Sequence, residues 1–227
     1  MRRQWSALRD NLSGFALLVL LMMTPAVAVA IAEWSEGLWV LPTITLISLL
    51  MSYLLAVSSL PELVALLFST AYGAFAITIL MGRFLLETFT LRERMLELVF
   101  RISGWMGNAV TGGFSQDNLV FVLLLGILFW YLSFNAAWNT FRESRLWRAT
   151  IPPGLVLLIN LYYYFGRARM ELLLLAYLFL MFVLAVRANV LTREWFWRQR
   201  RVGYTPGIRF DFLRAGIIAI IVLLVAA

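Results

Sequence analysis

Long apolar runs separated by short charged loops set the pattern of this chain. Apolar residues dominate 15–32, 38–57, 63–81, 119–138, 151–165, 171–186 and 215–227. About 20 such residues let an α-helix cross the roughly 30 Å hydrocarbon layer of a bilayer. The pattern predicts an all-α, polytopic membrane protein in which 1–227 is a single membrane domain. It predicts six complete spanning helices and a seventh cut short. The runs 151–165 and 171–186 reach only about 23 Å each at 1.5 Å per residue. They draw extra length from Tyr162, Tyr163, Tyr164 and snorkelling arginines. The last run reaches about 20 Å, which predicts that the natural polypeptide continues outward past Ala227.

Proline, serine and charge place the boundaries. Pro25 predicts a kink in the first helix. The basic start and the small residues at 26–32 also fit a secretion signal; we read the run as a retained first helix with its N-terminus inside. Ser58 to Glu62 reads as an inner turn, with serine as helix cap, Pro61 in the first turn and Glu62 at the positive helix end. Ile151-Pro152-Pro153-Gly154 reads as a helix start, because the first turn tolerates proline.

One segment departs from the pattern. Over about 84–106, Leu91, Met95, Leu98, Val99, Ile102 and Met106 recur at helical spacing, while Glu93, Glu97 and Arg101 line another face. Glu97 and Arg101 stand at the favourable i,i+4 distance. The charges are too many for a crossing. We expect an amphipathic helix on the outer surface or against the bundle, serving as a connector or as a docking platform.

Charge orients the layout. The net charge is +7, and all 19 cations are arginine. Segment 187–214 carries seven of them, with Trp195 and Trp197, between two apolar runs. Such a belt belongs at a cytoplasmic membrane surface. Inner segments hold thirteen arginines, among them Arg142, Arg145, Arg148, Arg193, Arg198, Arg200 and Arg201, against five acids. Outer segments hold six arginines and seven acids. The positive-inside rule then gives a cytoplasmic N-terminus. The arginines sit in short loops beside apolar runs, so they point to the lipid bilayer as partner and not to nucleic acid.

Candidate chemistry is sparse. The chain has no Cys and no His, which removes thiol nucleophiles, imidazole bases and the usual zinc or haem ligands. The carboxylates Glu87, Glu93, Glu97 and Asp117 read as a solvated face, so no catalytic and no metal-binding residue is expected. No Gly-rich phosphate loop is present. Asn135, Asn139 and Asn160 fall at or near membrane depth, where interhelical hydrogen bonds are their commonest use. No Arg, Asp or Glu occupies the middle of a run, which lowers a transporter or proton pump to third place. The aromatics could contact a lipid tail or a carotenoid; no other cofactor is implied.

Asn135-Ala-Ala-Trp-Asn-Thr-Phe-Arg142 leads through Arg145 and Arg148 into Ile151-Pro152-Pro153-Gly154-Leu155 and Asn160-Leu-Tyr-Tyr163. Later come Trp195 to Arg201, Gly203-Tyr204-Thr205-Pro206 and Phe210-Asp211-Phe212-Leu213-Arg214. Together these residues resemble the N-terminal membrane domain of bacterial TgpA-type transglutaminase-like proteins. In that family several helices precede a large extracytoplasmic domain with a Cys-His-Asp triad. No triad residue carries over to this chain. The resemblance implies a non-catalytic inner-membrane domain that anchors and orients an external transglutaminase-like domain beyond residue 227. A structural subunit of a larger energy-transducing or photosynthetic membrane complex is the alternative.

Overall fold

A computed structural model gives the fold of residues 2–85, 88–111, 117–199 and 214–218, with backbone alone for 2–11, 192 and 194–199. The described chain is all-helical. Its elements are α1 (Arg2–Ile31), α2 (Val40–Val57), α3 (Glu62–Met81), a short 3₁₀ turn (Gly82–Phe84), α4 (Leu91–Val110), α5 (Asn118–Phe141), α6 (Leu146–Tyr163) and α7 (Met170–Gln199). Residues 214–218 are helical too, and Gly216 lies so close to α7 that a Cβ there would fall 2.8 Å from Val186.

Five helices are long and apolar enough to cross a membrane: Leu12–Ile31, Val40–Val57, Glu62–Phe84, Asn118–Phe141 and Met170–Leu191. The protein is therefore a multi-pass membrane protein by length and composition. α6 falls outside that set because Arg148, Pro152, Pro153 and Asn160 dilute its apolar residues, yet it packs against α1, α5 and α7 within the bundle. The expected seventh run lies outside the described residues apart from 215–218.

α5 is the central element. Apolar nearly all round, it contributes to three buried clusters. Leu132, Ala136 and Ala137 join α1, α6 and α7; Val122, Leu123, Phe129 and Trp130 join α1, α2 and α3; Phe134 and Trp138 close on Ala56 and Ala65. A helix without a polar face has no side to offer water, so it is surrounded by others. Lipid tails are as apolar as leucine, so close packing and hydrogen bonds, rather than escape from water, bring these helices together.

Several boundaries differ from the sequence reading. α1 starts at Arg2 and not near residue 15, and it continues unbroken through Pro25. Pro25 cannot donate to the Leu21 carbonyl; the Thr24 hydroxyl does so instead at 2.7 Å. Ser58 closes α2 rather than opening α3: its hydroxyl donates to Leu55 O, and the Leu60 N–H donates to it. Pro61 holds the N-cap position of α3 without a side-chain bond, with Glu62 in the first turn. α6 begins at Leu146, five residues before the expected start, which places Pro152 and Pro153 inside the helix. α7 runs on from residue 186 through the first part of the basic belt to Gln199.

The amphipathic segment folds as α4, bounded at 91 and 110 rather than 84 and 106. A capping box starts it: the Thr90 hydroxyl accepts from Glu93 N, and Glu93 Oε2 accepts from Thr90 N at 2.7 Å. Arg101 pairs with Glu97 at 2.8 Å and with Asp117 at 2.9 Å. Asp117 also caps α5 by accepting from Leu119 N at 3.0 Å. One guanidinium thus ties the body of α4 to the start of the central helix.

Candidate functional site

The Pro-Pro pair in α6 draws polar contacts from both neighbouring helices, α5 and α7, and the sequence dictates its form. Pro152 and Pro153 have no N–H, so the carbonyls of Arg148 and Ala149 lose their helical donors. In a membrane such groups need other partners. The Asn135 side-chain amide, on α5, donates to Arg148 O at 2.6 Å. Two residues on, the Tyr177 hydroxyl reaches across from α7 and donates to Thr150 O. The tyrosine is thus held against the α6 backbone beside Gly154. Gly154 has to be small here, because a Cβ would come within 3.1 Å of the tyrosine ring. Tyr177 is 2% exposed. Three helices, α5, α6 and α7, are thus joined through the irregular backbone of the middle one.

A second lock joins α2, α3 and α5. The buried Trp130 indole N–H points at Ser69, with the carbonyl at 3.0 Å and the hydroxyl at 3.1 Å. The Trp130 carbonyl accepts from the Ser48 hydroxyl at 2.8 Å. Gly73 permits the fit: a Cβ there would lie 2.7 Å from the indole.

The residues singled out from the sequence fall into three groups. Asn135 and Arg148 meet at the proline break, through the carbonyl of Arg148 and not its charge. Asn139 bonds back along α5, to Asn135 O at 3.0 Å and Asn135 Oδ1 at 2.8 Å. Asn160 is 1% exposed, and neither of its amide atoms has a partner; the expected interhelical bond is not formed there. Its neighbours Leu157 and Leu161 belong to a largely apolar cluster.

The arginines hold the bundle's end. Arg142 donates to Ser58 O at 2.5 Å and Leu60 O at 3.5 Å, and its guanidinium lies 5.5 Å from the Trp138 ring centre. It binds the foot of α5 to the α2–α3 turn, where the carbonyl end of α2 favours a cation. Arg145 lies 3.8 Å from Glu143, a surface pair of little energetic weight. Arg193 donates to Asn189 at 3.0 Å within α7. The Arg198 side chain, Arg200 and Arg201 lie outside the described residues.

Sequence reasoning missed Tyr177, Trp130, Ser48, Ser69 and Gly73. Ser48 has a signal, since Thr45, Ser48 and Ser52 recur at 3–4 spacing on an otherwise apolar helix, a polar seam for another helix. Tyr177 has none, because its partner exists only when the Pro-Pro pair is inside a helix.

These contacts join helices; they do not assemble a reaction centre. Among the described residues no three His, Cys, Asp or Glu gather to hold a metal ion. On the opposite side of the bundle, α3, α4 and α5 leave an apolar cleft of about 210 Å³ between Ile77, Leu98, Ile102 and Trp130. Compared with protein-family models, curated proteins and solved structures, the chain matches none.

Proposed function

We propose that this chain is a non-catalytic membrane domain of a bacterial inner membrane, with a cytoplasmic N-terminus. In this reading it anchors and orients an extracytoplasmic transglutaminase-like domain of the same polypeptide. One observation carries the reading. Five of the residues on which the resemblance to TgpA-type proteins rests, Asn135, Arg148, Pro152, Pro153 and Gly154, stand at the α5–α6–α7 junction. A stiff junction in mid-bundle suits a support that must fix the direction of what it carries. The inward bias of arginine supports the orientation. Reading the gene beyond codon 227 tests the proposal. An in-frame domain with a Cys-His-Asp set is expected, and a stop codon directly after Ala227 removes the anchoring role. Labelling at Gln199 by cytoplasmic reagent alone is expected for the orientation.

A second reading is favoured by α4. Its Leu96, Val99, Phe100, Met106 and Val110 are all more than half exposed, and the helix is too charged to span. As a subunit of a larger membrane complex, the protein would cover that face with a partner, with a lipid or carotenoid at the contact. Purification in mild detergent separates the two: stoichiometric partner chains favour the subunit, and a lone species counts against it.

A further inference from the structure

We infer that the cavity between α1 at Gly14, the foot of α5 and the late part of α7 is a binding site for the phosphate headgroup of an acidic phospholipid. The cavity holds about 570 Å³, within the range of small-ligand sites. Its wall is built by convergence. Gly14 of α1 has no side chain, and a Cβ there would meet the Arg187 guanidinium at 3.2 Å and the Phe141 ring at 3.5 Å. Arg187, Ser144 and Asn189 are polar members of the lining, and Phe141, Leu184 and Trp147 apolar ones. Thr140, another lining residue, has its hydroxyl buried without a partner. No carboxylate lies among the described lining residues. Arg187 has an interaction of its own, but a guanidinium carries five N–H donors and can serve a phosphate as well.

The chemistry selects the occupant. One cation beside neutral donors, continuous with aromatic and leucine side chains, complements a phosphate that carries acyl chains. The cavity lies at the end of the bundle where α5 closes with Arg142, the turn carries Arg145 and the first turn of α6 carries Arg148. Basic pockets between membrane helices at a cytoplasmic surface attract acidic lipids. The inference needs only that the bundle sits in a bilayer, and it is independent of any external domain.

Native mass spectrometry of the full chain in neutral detergent tests it. The probes are phosphatidylglycerol, phosphatidylcholine with matched acyl chains, and inorganic phosphate. Phosphatidylglycerol is expected to be retained in preference to phosphatidylcholine by about fivefold, the value of one basic residue at a charged surface, about 1 kcal/mol. Arg187→Gln is expected to abolish the preference. Gly14→Leu keeps the charge but fills the cavity, and is expected to weaken retention too. Asn189→Leu, at an exposed rim position, replaces either variant that does not fold by far-UV circular dichroism, and weakens retention likewise. Arg145→Gln, on the neighbouring surface, is expected to leave the preference intact. Equal retention of the two lipids overturns the proposal. So does a preference that survives the cavity variants, one that Arg145→Gln removes as strongly, or displacement of the lipid by millimolar inorganic phosphate.

Discussion

Replacing Asn135 by leucine tests how the break in α6 is held. In an uninterrupted helix the N–H of residue 152 would donate to Arg148 O; proline has none, and the Asn135 amide takes the place at 2.6 Å. A fully buried carbonyl without a donor costs about 1–3 kcal/mol. Interhelical hydrogen bonds in membrane proteins average about 0.6 kcal/mol and reach about 1.7. Asn135 is partly buried and Arg148 exposed, so interfacial water can replace part of the bond. We therefore expect Asn135→Leu to cost about 1 kcal/mol, between those membrane figures. Pro152→Ala supplies the missing N–H, so in the double variant Arg148 O regains a donor within its own helix. The pair is then non-additive, the double variant losing about 1 kcal/mol less than the two single changes together. The lost contact to Asn139 occurs with either residue at 152 and cancels in the cycle. Unfolding by sodium dodecyl sulfate in mixed micelles, followed by far-UV circular dichroism, gives the four stabilities. Additivity to within about 0.3–0.5 kcal/mol would refute the claim that Asn135 stands in for the proline's missing donor.

Three further outcomes follow from the same geometry. Gly73→Ala drives a methyl to 2.7 Å from the Trp130 indole and should cost about 1–3 kcal/mol by overpacking. Gly104→Ala, with nothing within 4 Å, should stabilise slightly through helix propensity; equal effects of the two in the same titration would count against the α3–α5 lock. Tyr177→Phe keeps the ring but removes the donor to Thr150 O, so it should cost about 1 kcal/mol and speed amide exchange in α6 around Gly154; unchanged exchange there would argue that α6 re-closes its own ladder. The Thr90 backbone N–H, then the Thr90 hydroxyl, hold the Glu93 carboxyl below its usual range. The capping box should therefore act in full above the ordinary glutamate pKa and weaken as pH falls through the lowered one, with the protection of amides 91–94, taken relative to unstructured amides at the same pH, falling on acidification. Glu93→Gln should make that protection insensitive to pH, and a persisting acid dependence would point to another group.

How much of this was legible beforehand follows from the range of each interaction. Runs of apolar residues need no partner to be recognised, so the helical class and the membrane setting are readable from composition and spacing. The amphipathic α4 is readable for the same reason, down to the Glu97–Arg101 pair, because i and i+4 are neighbours on any helix. Asp117 is a different case. Its cap to α5 is local and visible in principle, but its bond to Arg101 depends on how α4 lies against the bundle.

Composition and spacing already make this protein a set of apolar helices with its arginines gathered on particular loops, since transfer of side chains between water and hydrocarbon is a property of each residue in turn. Which helix lies at the centre, and that Pro152 and Pro153 stand inside α6 instead of opening it, follow from how the helices pack. A proline's effect depends on whether the carbonyl it orphans finds another donor; here Asn135, 17 positions before Pro152, serves Arg148 O, and Tyr177, 27 positions after Thr150, serves the neighbouring Thr150 O. Chain folding, and not local propensity, brings them there.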